Sequence, residues 1–215
     1  MLPRTPVNRA RGCLLGLAVG DVLGCPWALK LEEAMPDLRF IADLPGEKVF
    51  VPGNHDFWWP SLSKLRMVAP EGLRFVRGDA IDFDWIAVGG TRLWLFSFVD
   101  WSALADGWNV EKGENALKIR RRELLRMERS LEALDGLGAE IKIFMTHFPP
   151  VGPDGGSNEI TERLAGHSVD LCVFGHLHNK PERPMDPFDR MVDGVRCVLV
   201  FCDVIGFHPL LLHTA

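Results

Sequence analysis

Short apolar runs, bounded by polar, Gly or Pro residues, predict buried strands along the chain. The clearest runs are residues 48–52, 141–145 and 171–174, which are rich in Val, Ile, Phe or Leu and too short for helices. Further runs at 195–202 and 209–213 predict strands that complete the same sheet. Each of the first three runs ends just before a turn that contains histidine.

Apolar residues at helical spacing predict helices between these strands. The longest such pattern covers residues 114–134, where Leu and Met form one stripe. Residues 28–44 show a similar pattern, which Pro36 is expected to divide into two pieces or to restart as a second helix. Short helices are predicted at 62–68 and after the Pro- and Gly-rich loop at 148–158.

Three more apolar runs, at 73–76, 85–88 and 93–98, predict strands of a second sheet. Strands and helices that alternate around two sheets predict an α/β fold, a two-sheet sandwich flanked by helices. The N-terminal strand region is atypical or missing in this pattern. Residues 13–22 are apolar and Gly-rich, and they fit a helix as well as a strand.

The composition fits a single soluble domain of 215 residues, with 47% hydrophobic and 25% charged residues. A net charge of −5 disfavours a nucleic-acid-binding surface, because such domains are usually basic on one face. The five cysteines are odd in number and include no C-x-x-C pair, which predicts free thiols in a reducing cytoplasm. No apolar stretch is long enough to span a bilayer, and Asp21 interrupts the N-terminal run that imitates a signal peptide.

Three turns that contain histidine follow the three predicted strands. They read Gly53-Asn54-His55-Asp56, Thr146-His147 and Gly175-His176-Leu177-His178. Because side chains at the carboxyl ends of strands converge on one crevice of an open sheet, these turns are expected to share a site. An amide oxygen and several imidazoles are suitable ligands for Mn, Fe, Zn or Ni. The pattern therefore predicts metal-dependent hydrolysis.

The order of these turns resembles that of the calcineurin-like metallophosphoesterases. The signature of that family reads D-x-H, G-D, G-N-H-[DE], a lone His and G-H-x-H, and its last three blocks occur here unchanged. The stretch 27–59 also resembles a bacterial branch of the family, and the resemblance continues to the C-terminus. It implies a dinuclear site where divalent metal ions activate a water molecule for attack on a phosphate ester.

The resemblance also implies a role for each residue of the three turns. His55 would face the substrate phosphate and donate a proton to the leaving oxygen, and Asp56 would orient its ring. The residues expected to bind the second metal are Asn54, His147 and His176, and His178 is expected to bind the first metal.

The blocks that supply the first metal are incomplete in this sequence. No D-x-H occurs before Gly53. Asp21 matches the G-D block, whose aspartate bridges the two metals, although its interval to Asn54 is a few residues longer than in the branch that the chain resembles. Since the first metal has only His178 and Asp21, we expect one tightly bound ion, a second weaker one and impaired hydrolysis.

The N-terminal segment carries a second resemblance. Residues 9–24 resemble the first helix of the ADP-ribosylglycohydrolases, an all-helical family, and in such a helix Asp21 would be an ordinary residue. We therefore expect an atypical N-terminal segment, residues 1–26, followed by one metallophosphoesterase domain, residues 27–215.

These observations favour a cytoplasmic phosphoesterase that hydrolyses a phosphomonoester or phosphodiester. Its expected partner is a small phosphorylated substrate, with neither a membrane nor a nucleic acid. Two alternatives stay open. In the first, the chain is a catalytically weak or inactive protein of the same fold. In the second, which rests on residues 9–24 alone, it is an ADP-ribosylglycohydrolase.

Overall fold

The computed structural model describes residues 31–54, 56, 59–94, 114–152, 154–177 and 187–212. The N-terminal segment 1–26, with both of its predicted alternatives, and most of the predicted strand 93–98 lie outside this part of the chain. The helices described are α1 (Leu31–Ala42), α2 (Leu62–Val68), α3 (Glu114–Asp135) and α4 (Glu159–Gly166). The strands are β1 (Lys48–Phe50), β2 (Leu73–Phe75), β3 (Asp79–Phe83), β4 (Ile86–Thr91), β5 (Ile141–Thr146), β6 (Leu171–Phe174), β7 (Asp189–Val192) and β8 (Val195–Leu199).

The larger sheet has six strands in the order β3-β4-β5-β6-β8-β7. Its four inner strands run parallel, and the edge strands β3 and β7 each pair antiparallel with their hairpin partners. In this register Thr146 at the end of β5 lies beside Thr91 on one side and Phe174 on the other. The carboxyl ends of the inner strands therefore meet at one edge of the sheet.

The smaller sheet consists of β1 and β2, which are parallel and pair Phe50 with Phe75. Side chains on a strand alternate between its two faces. Val49 and Val51 accordingly join a buried cluster with Ile143 and other residues of the larger sheet. Phe50 points the other way, stacks on Phe75 at 5.1 Å and packs under α1 and α2.

The opposite face of the larger sheet is covered by α3 and α4. Phe144 and Cys172 on this face share a buried cluster with Met127 and Leu131 of α3 and Leu164 of α4. The order of layers is thus helix, small sheet, large sheet, helix. The predicted α/β fold with two sheets and flanking helices is confirmed.

Helix α1 differs from its prediction, because it continues through Pro36. Proline removes one backbone hydrogen bond from a helix interior. Here Pro36 and Glu32, whose carbonyl loses that donor, lie on the exposed side, where water can satisfy the carbonyl. Ala34 and Leu38 on the other side are fully buried, and their packing holds the helix together across the proline.

The predicted grouping of strands is wrong in one respect. The runs 73–76 and 85–88 do not share a sheet, since β2 pairs with β1 whereas β4 lies inside the larger sheet. The edge strands β3 and β7 were not predicted, and their polar residues explain why. The described part of the predicted strand 209–213 forms no strand.

The described cysteines Cys172, Cys197 and Cys202 have free thiols. Burial raises the pKa of the Cys172 thiol well above its ordinary value. No helix among the described residues combines the length and the apolar character needed to cross a membrane.

Candidate metal centre

The site lies where strands of both sheets end. His147 directly follows β5, and His176 stands two residues beyond the end of the neighbouring strand β6. Asn54 follows β1 of the smaller sheet by four residues. The sequence prediction that these strand ends share one crevice therefore agrees with the arrangement of these three residues.

The three side chains converge on Nε2 of His147. This nitrogen lies 2.6 Å from Oδ1 of Asn54 and 3.0 Å from Nδ1 of His176. The two imidazole rings are 4.9 Å apart, centre to centre, and meet edge to face. His147 is 6% exposed, so this group of donors is largely removed from solvent.

This donor set fits a divalent transition metal. Donors held about 2.1 Å from one ion stand roughly 3 Å from each other, close to the separations found here. Neutral imidazole nitrogens and an amide oxygen suit Mn, Fe, Zn or Ni. Among the described residues no cluster of three or more His, Cys, Asp or Glu is present, because the third donor of this group is an amide.

Main-chain hydrogen bonds tie these turns to the sheet. The amide groups of His147 and Phe148 both donate to the carbonyl oxygen of Arg92, at 3.3 and 3.0 Å. The amide of Gly175 donates to the carbonyl of His147 at 3.2 Å. The turns after β4, β5 and β6 are therefore joined by backbone contacts, which fixes the distance between the two histidines.

The two other turns have their own local restraints. His176 has a φ of +69°, a left-handed conformation that a histidine adopts only where the surrounding structure requires it. In the Gly53 turn, Oδ2 of Asp56 accepts a hydrogen bond from the amide of Gly53 at 2.6 Å. Asp56 is 7% exposed, so this buried contact closes the turn that carries Asn54.

A buried aromatic side chain forms one wall of the site. The ring of Phe148 lies 4.4 Å from that of His176 and 5.0 Å from that of His147. Trp94 contacts Phe148 edge to face at 5.4 Å. These rings restrict the orientation of both imidazoles.

Three of the predicted site residues lie outside the part of the chain that the structure describes. They are Asp21, His55 and His178. The structure therefore brings together the residues predicted for the second metal, and the predicted first-metal ligands stay predictions.

Sequence reasoning missed a polar network beside the site. Glu123 of α3 is fully buried, and its Oε2 accepts a hydrogen bond from the hydroxyl of Thr91 at 2.8 Å. Arg92 follows on the same strand end, with its guanidinium 4.9 Å from the centre of the Trp94 ring. Burial lowers the pKa of Arg92, and the charge of Glu123 opposes that effect. A strand that ends at Thr91 would have marked Arg92 as a residue at a strand end. The predicted strands 85–88 and 93–98 instead left Arg92 in the gap between them.

One of three comparisons with known proteins identifies a family. The family model described as calcineurin-like phosphoesterase matches residues 14–180, more than half of the 215-residue chain. No curated protein and no solved structure matches the chain significantly. The family match begins within the N-terminal segment and includes all three histidine-bearing turns. The chain therefore belongs to the calcineurin-like phosphoesterases, a family of phosphoesterases that bind divalent metals.

Proposed function

We propose that the chain hydrolyses a phosphomonoester or phosphodiester of a small substrate with the help of a bound divalent metal. The convergence of Asn54 and His176 on Nε2 of His147, at 2.6 and 3.0 Å, is the observation that carries this proposal. Membership of the family supports the same class of reaction.

In this proposal Asn54, His147 and His176 hold one ion, of Mn, Fe, Zn or Ni. A bound ion would act as a Lewis acid on a phosphoryl oxygen and would lower the pKa of a water molecule. The chain itself fixes the donors through the backbone contacts between its strand-end turns. His55 donates a proton to the leaving oxygen, and Asp56 orients the His55 ring while its Oδ2 closes the turn on Gly53.

We further propose that a second ion binds weakly and that hydrolysis is correspondingly slow. The first-metal site depends on His178 and Asp21, because the sequence contains no D-x-H before Gly53. Both residues lie within the matched range 14–180, which supports their assignment to the site. Two protein ligands are usually too few for a tight transition-metal site.

Metal stoichiometry tests both parts of the proposal. The full chain is loaded with excess Mn, desalted and measured by elemental analysis, and one ion per chain is expected. Two tightly held ions would contradict the weak second site, and no ion would contradict the metal centre itself.

Hydrolysis of an aryl phosphate ester tests the reaction. Turnover is expected with added Mn, is expected to stop when a chelator is present, and is expected to return when Mn is restored. Turnover that persists unchanged in the chelator would contradict a metal-dependent mechanism.

A further inference from the structure

Three arginines lie within 4 Å of one buried carboxylate beside the proposed metal centre, and a fourth, Arg77, interacts electrostatically with all of these groups. Arg126 forms an ion pair with Oε1 of Glu123, which is fully buried. Nη2 of Arg92 and Nε of Arg122 each lie 3.8 Å from the same oxygen. We refer to Arg77, Arg92, Arg122 and Arg126 as the arginine cluster.

Arg77 joins this cluster from the turn between β2 and β3. A Cβ atom placed on Gly78 would lie 3.0 Å from Cβ of Arg126, so this turn packs directly on α3. The carboxylate nearest in sequence, Asp79, accepts a hydrogen bond from the amide of Arg77 and already forms an ion pair with Arg66 at 2.5 Å. The negative charge of Asp79 therefore compensates Arg66, which lies outside the arginine cluster.

The positive charges of the cluster exceed the negative charge that it encloses. Among the described residues, Glu123 acts on all four arginines and Asp56 also acts on Arg92, so the guanidinium groups still outnumber these carboxylates. The Nε atoms of Arg77 and Arg92 are buried and have no hydrogen-bond partner in the described part of the chain. Burial and then the charge of Arg126 lower the pKa of Arg77. Partly buried cations without full compensation are costly, and an anion bound among them would relieve that cost.

The cluster lies next to the metal donors. The carbonyl oxygen of Arg92 accepts the amide hydrogen of His147, so backbone contact joins the two sites directly. The Arg92 guanidinium lies over Trp94, which contacts Phe148, whose ring is 4.4 Å from that of His176. A substrate held at the metal centre would thus have the arginine cluster as its neighbour.

We propose that the arginine cluster is a phosphate-binding subsite and that the substrate carries a second phosphate group, which this subsite recognises. Guanidinium groups bind phosphate through paired hydrogen bonds of matched geometry, which makes phosphate the best-suited anion. The statement about the substrate rests on the proposed function, whereas anion binding by the cluster does not. The two parts can therefore be tested separately.

Binding of inorganic pyrophosphate to the metal-free full chain tests the subsite. Calorimetry at low ionic strength is expected to detect binding that weakens about tenfold in Arg77→Gln and in Arg122→Gln, as expected for the loss of one charge-assisted contact.

Neither arginine makes the closest ion pair to Glu123, so both variants are expected to fold, which a thermal melt checks. Arg121→Gln is the matched control, because Arg121 is exposed on the same helix and carries the same charge. Equal dissociation constants for all four proteins, or no binding by the wild type, would overturn the subsite.

Kinetics with two sugar phosphates tests the substrate class. Glucose 1,6-bisphosphate and glucose 6-phosphate share one skeleton and differ in the second phosphate. In Arg122→Gln the KM for the bisphosphate is expected to rise about tenfold, while the KM for the monophosphate stays unchanged and kcat changes little. An equal rise of KM for both esters would overturn the two-phosphate substrate. A wild type that hydrolyses neither ester would contradict the proposed function, and pyrophosphate binding would still decide whether the cluster is a phosphate site.

Discussion

At the scale of single residues, the three metal donors are positioned by three different local devices. His147 is held through its own amide and carbonyl groups, which pair with the neighbouring strand-end turns. His176 is held in a left-handed backbone conformation, and Asn54 sits in a turn that the Asp56 carboxylate closes. A left-handed histidine costs of order 1–3 kcal/mol and persists only where packing imposes it. The backbone and packing of the chain itself therefore hold the three donors in place.

His147 is the central donor, so its removal should have the largest effect on metal binding. In His147→Ala both short donor contacts, to Asn54 and to His176, are lost. We expect the affinity for Mn to fall at least about 100-fold, since changes to residues that only support metal ligands already cost up to that factor. Calorimetric titration of the chelator-treated chain measures the affinity, and turnover of an aryl phosphate should fall with it.

His208→Ala serves as the control, because His208 is exposed and its Nδ1 contacts the nearby carbonyl of Gly206. This variant should bind Mn like the wild type. If His147→Ala also retained wild-type affinity while keeping its thermal melt, the three-donor centre would be the wrong assignment.

The sequence was informative about those site residues that follow apolar strands. Asn54, His147 and His176 stand in recognisable turns, and the convergence of strand ends predicted that they would meet. Glu123 could not be recognised in this way, because a single glutamate in a charged helix has no local pattern that marks it as buried. Its burial depends on Thr91 and Arg126, which only the packed structure brings to it.

At the scale of elements, two glycines let β4 lie unusually close to its neighbours, Gly89 to α3 and Gly90 to β5. A Cβ atom on Gly89 would lie 2.7 Å from Oγ of Ser130, and one on Gly90 would lie 2.6 Å from the carbonyl oxygen of Met145. The Ser130 hydroxyl donates to the carbonyl of Asp79 at 2.6 Å and accepts from the amide of Gly90 at 2.8 Å. One helix side chain thus connects two strands of the sheet.

Gly90→Ala should therefore destabilise the fold. The new methyl group would meet the main chain of β5, which cannot move aside as a flexible side chain could. We expect the free energy of unfolding to fall by about 1–3 kcal/mol, as for other overpacked core positions. Urea denaturation followed by circular dichroism measures this change.

Gly166→Ala is the matched control for the same chemical change. Gly166 lies at the end of α4, and a Cβ there would meet nothing within 4 Å among the described residues. Alanine in a helix is favoured over glycine, so this variant should gain up to about 1 kcal/mol. Equal losses in both variants would contradict a specific contact between β4 and β5.

The success of the element predictions followed the strength of the apolar pattern. The helices α2 and α3 and the strands β5 and β6 were predicted within a residue or so, because apolar residues dominate each strand or recur at helical spacing in each helix. The strands β3 and β7 were missed because each begins with aspartate and lies at an edge of the sheet, where polar residues are tolerated. The turn into β8 has Asp193 and Gly194 both at positive φ, an Asp-Gly hairpin turn that the sequence predictions did not include.

At the scale of the whole molecule, the arrangement of layers depends on which strands pair, and local patterns do not contain that information. The runs that became β2 and β4 look alike in sequence, yet they lie in different sheets. Phe50 and Phe75 pair across the smaller sheet and pack against α1 and α2. Their neighbours in sequence, Val49, Val51 and Val76, face the larger sheet instead. Two sheets could be predicted from the alternation of elements, but their membership could not.

Two aspartates join elements that are separate in sequence. Asp135 at the end of α3 accepts from Nζ of Lys142 in β5 at 2.6 Å and contacts Nδ1 of His167 at 2.7 Å. Asp189 in β7 forms a two-pronged pair with Arg196 in β8, at 2.6 and 2.8 Å. The hydrogen bond from Lys142 lowers the pKa of Asp135, and the one from Arg196 lowers the pKa of Asp189.

Stability should therefore decline in acid through these two carboxylates. A carboxyl whose pKa is lower in the folded than in the unfolded state stabilises the fold above the unfolded value, about 3.9, and that contribution is lost as pH falls through the folded pKa. The double variant Asp135→Asn, Asp189→Asn should be less stable than the wild type at pH 7 and should lose less stability between about pH 5 and pH 3. The effect should be modest, because the two carboxylates are 44% and 45% exposed and solvent screens them.

Urea denaturation at each pH measures how steeply stability changes with pH. The control is Asp37→Asn, at an exposed position on α1, which should leave the wild-type slope unchanged. Parallel pH profiles for the wild type and the double variant would show that acid unfolding begins elsewhere in the molecule.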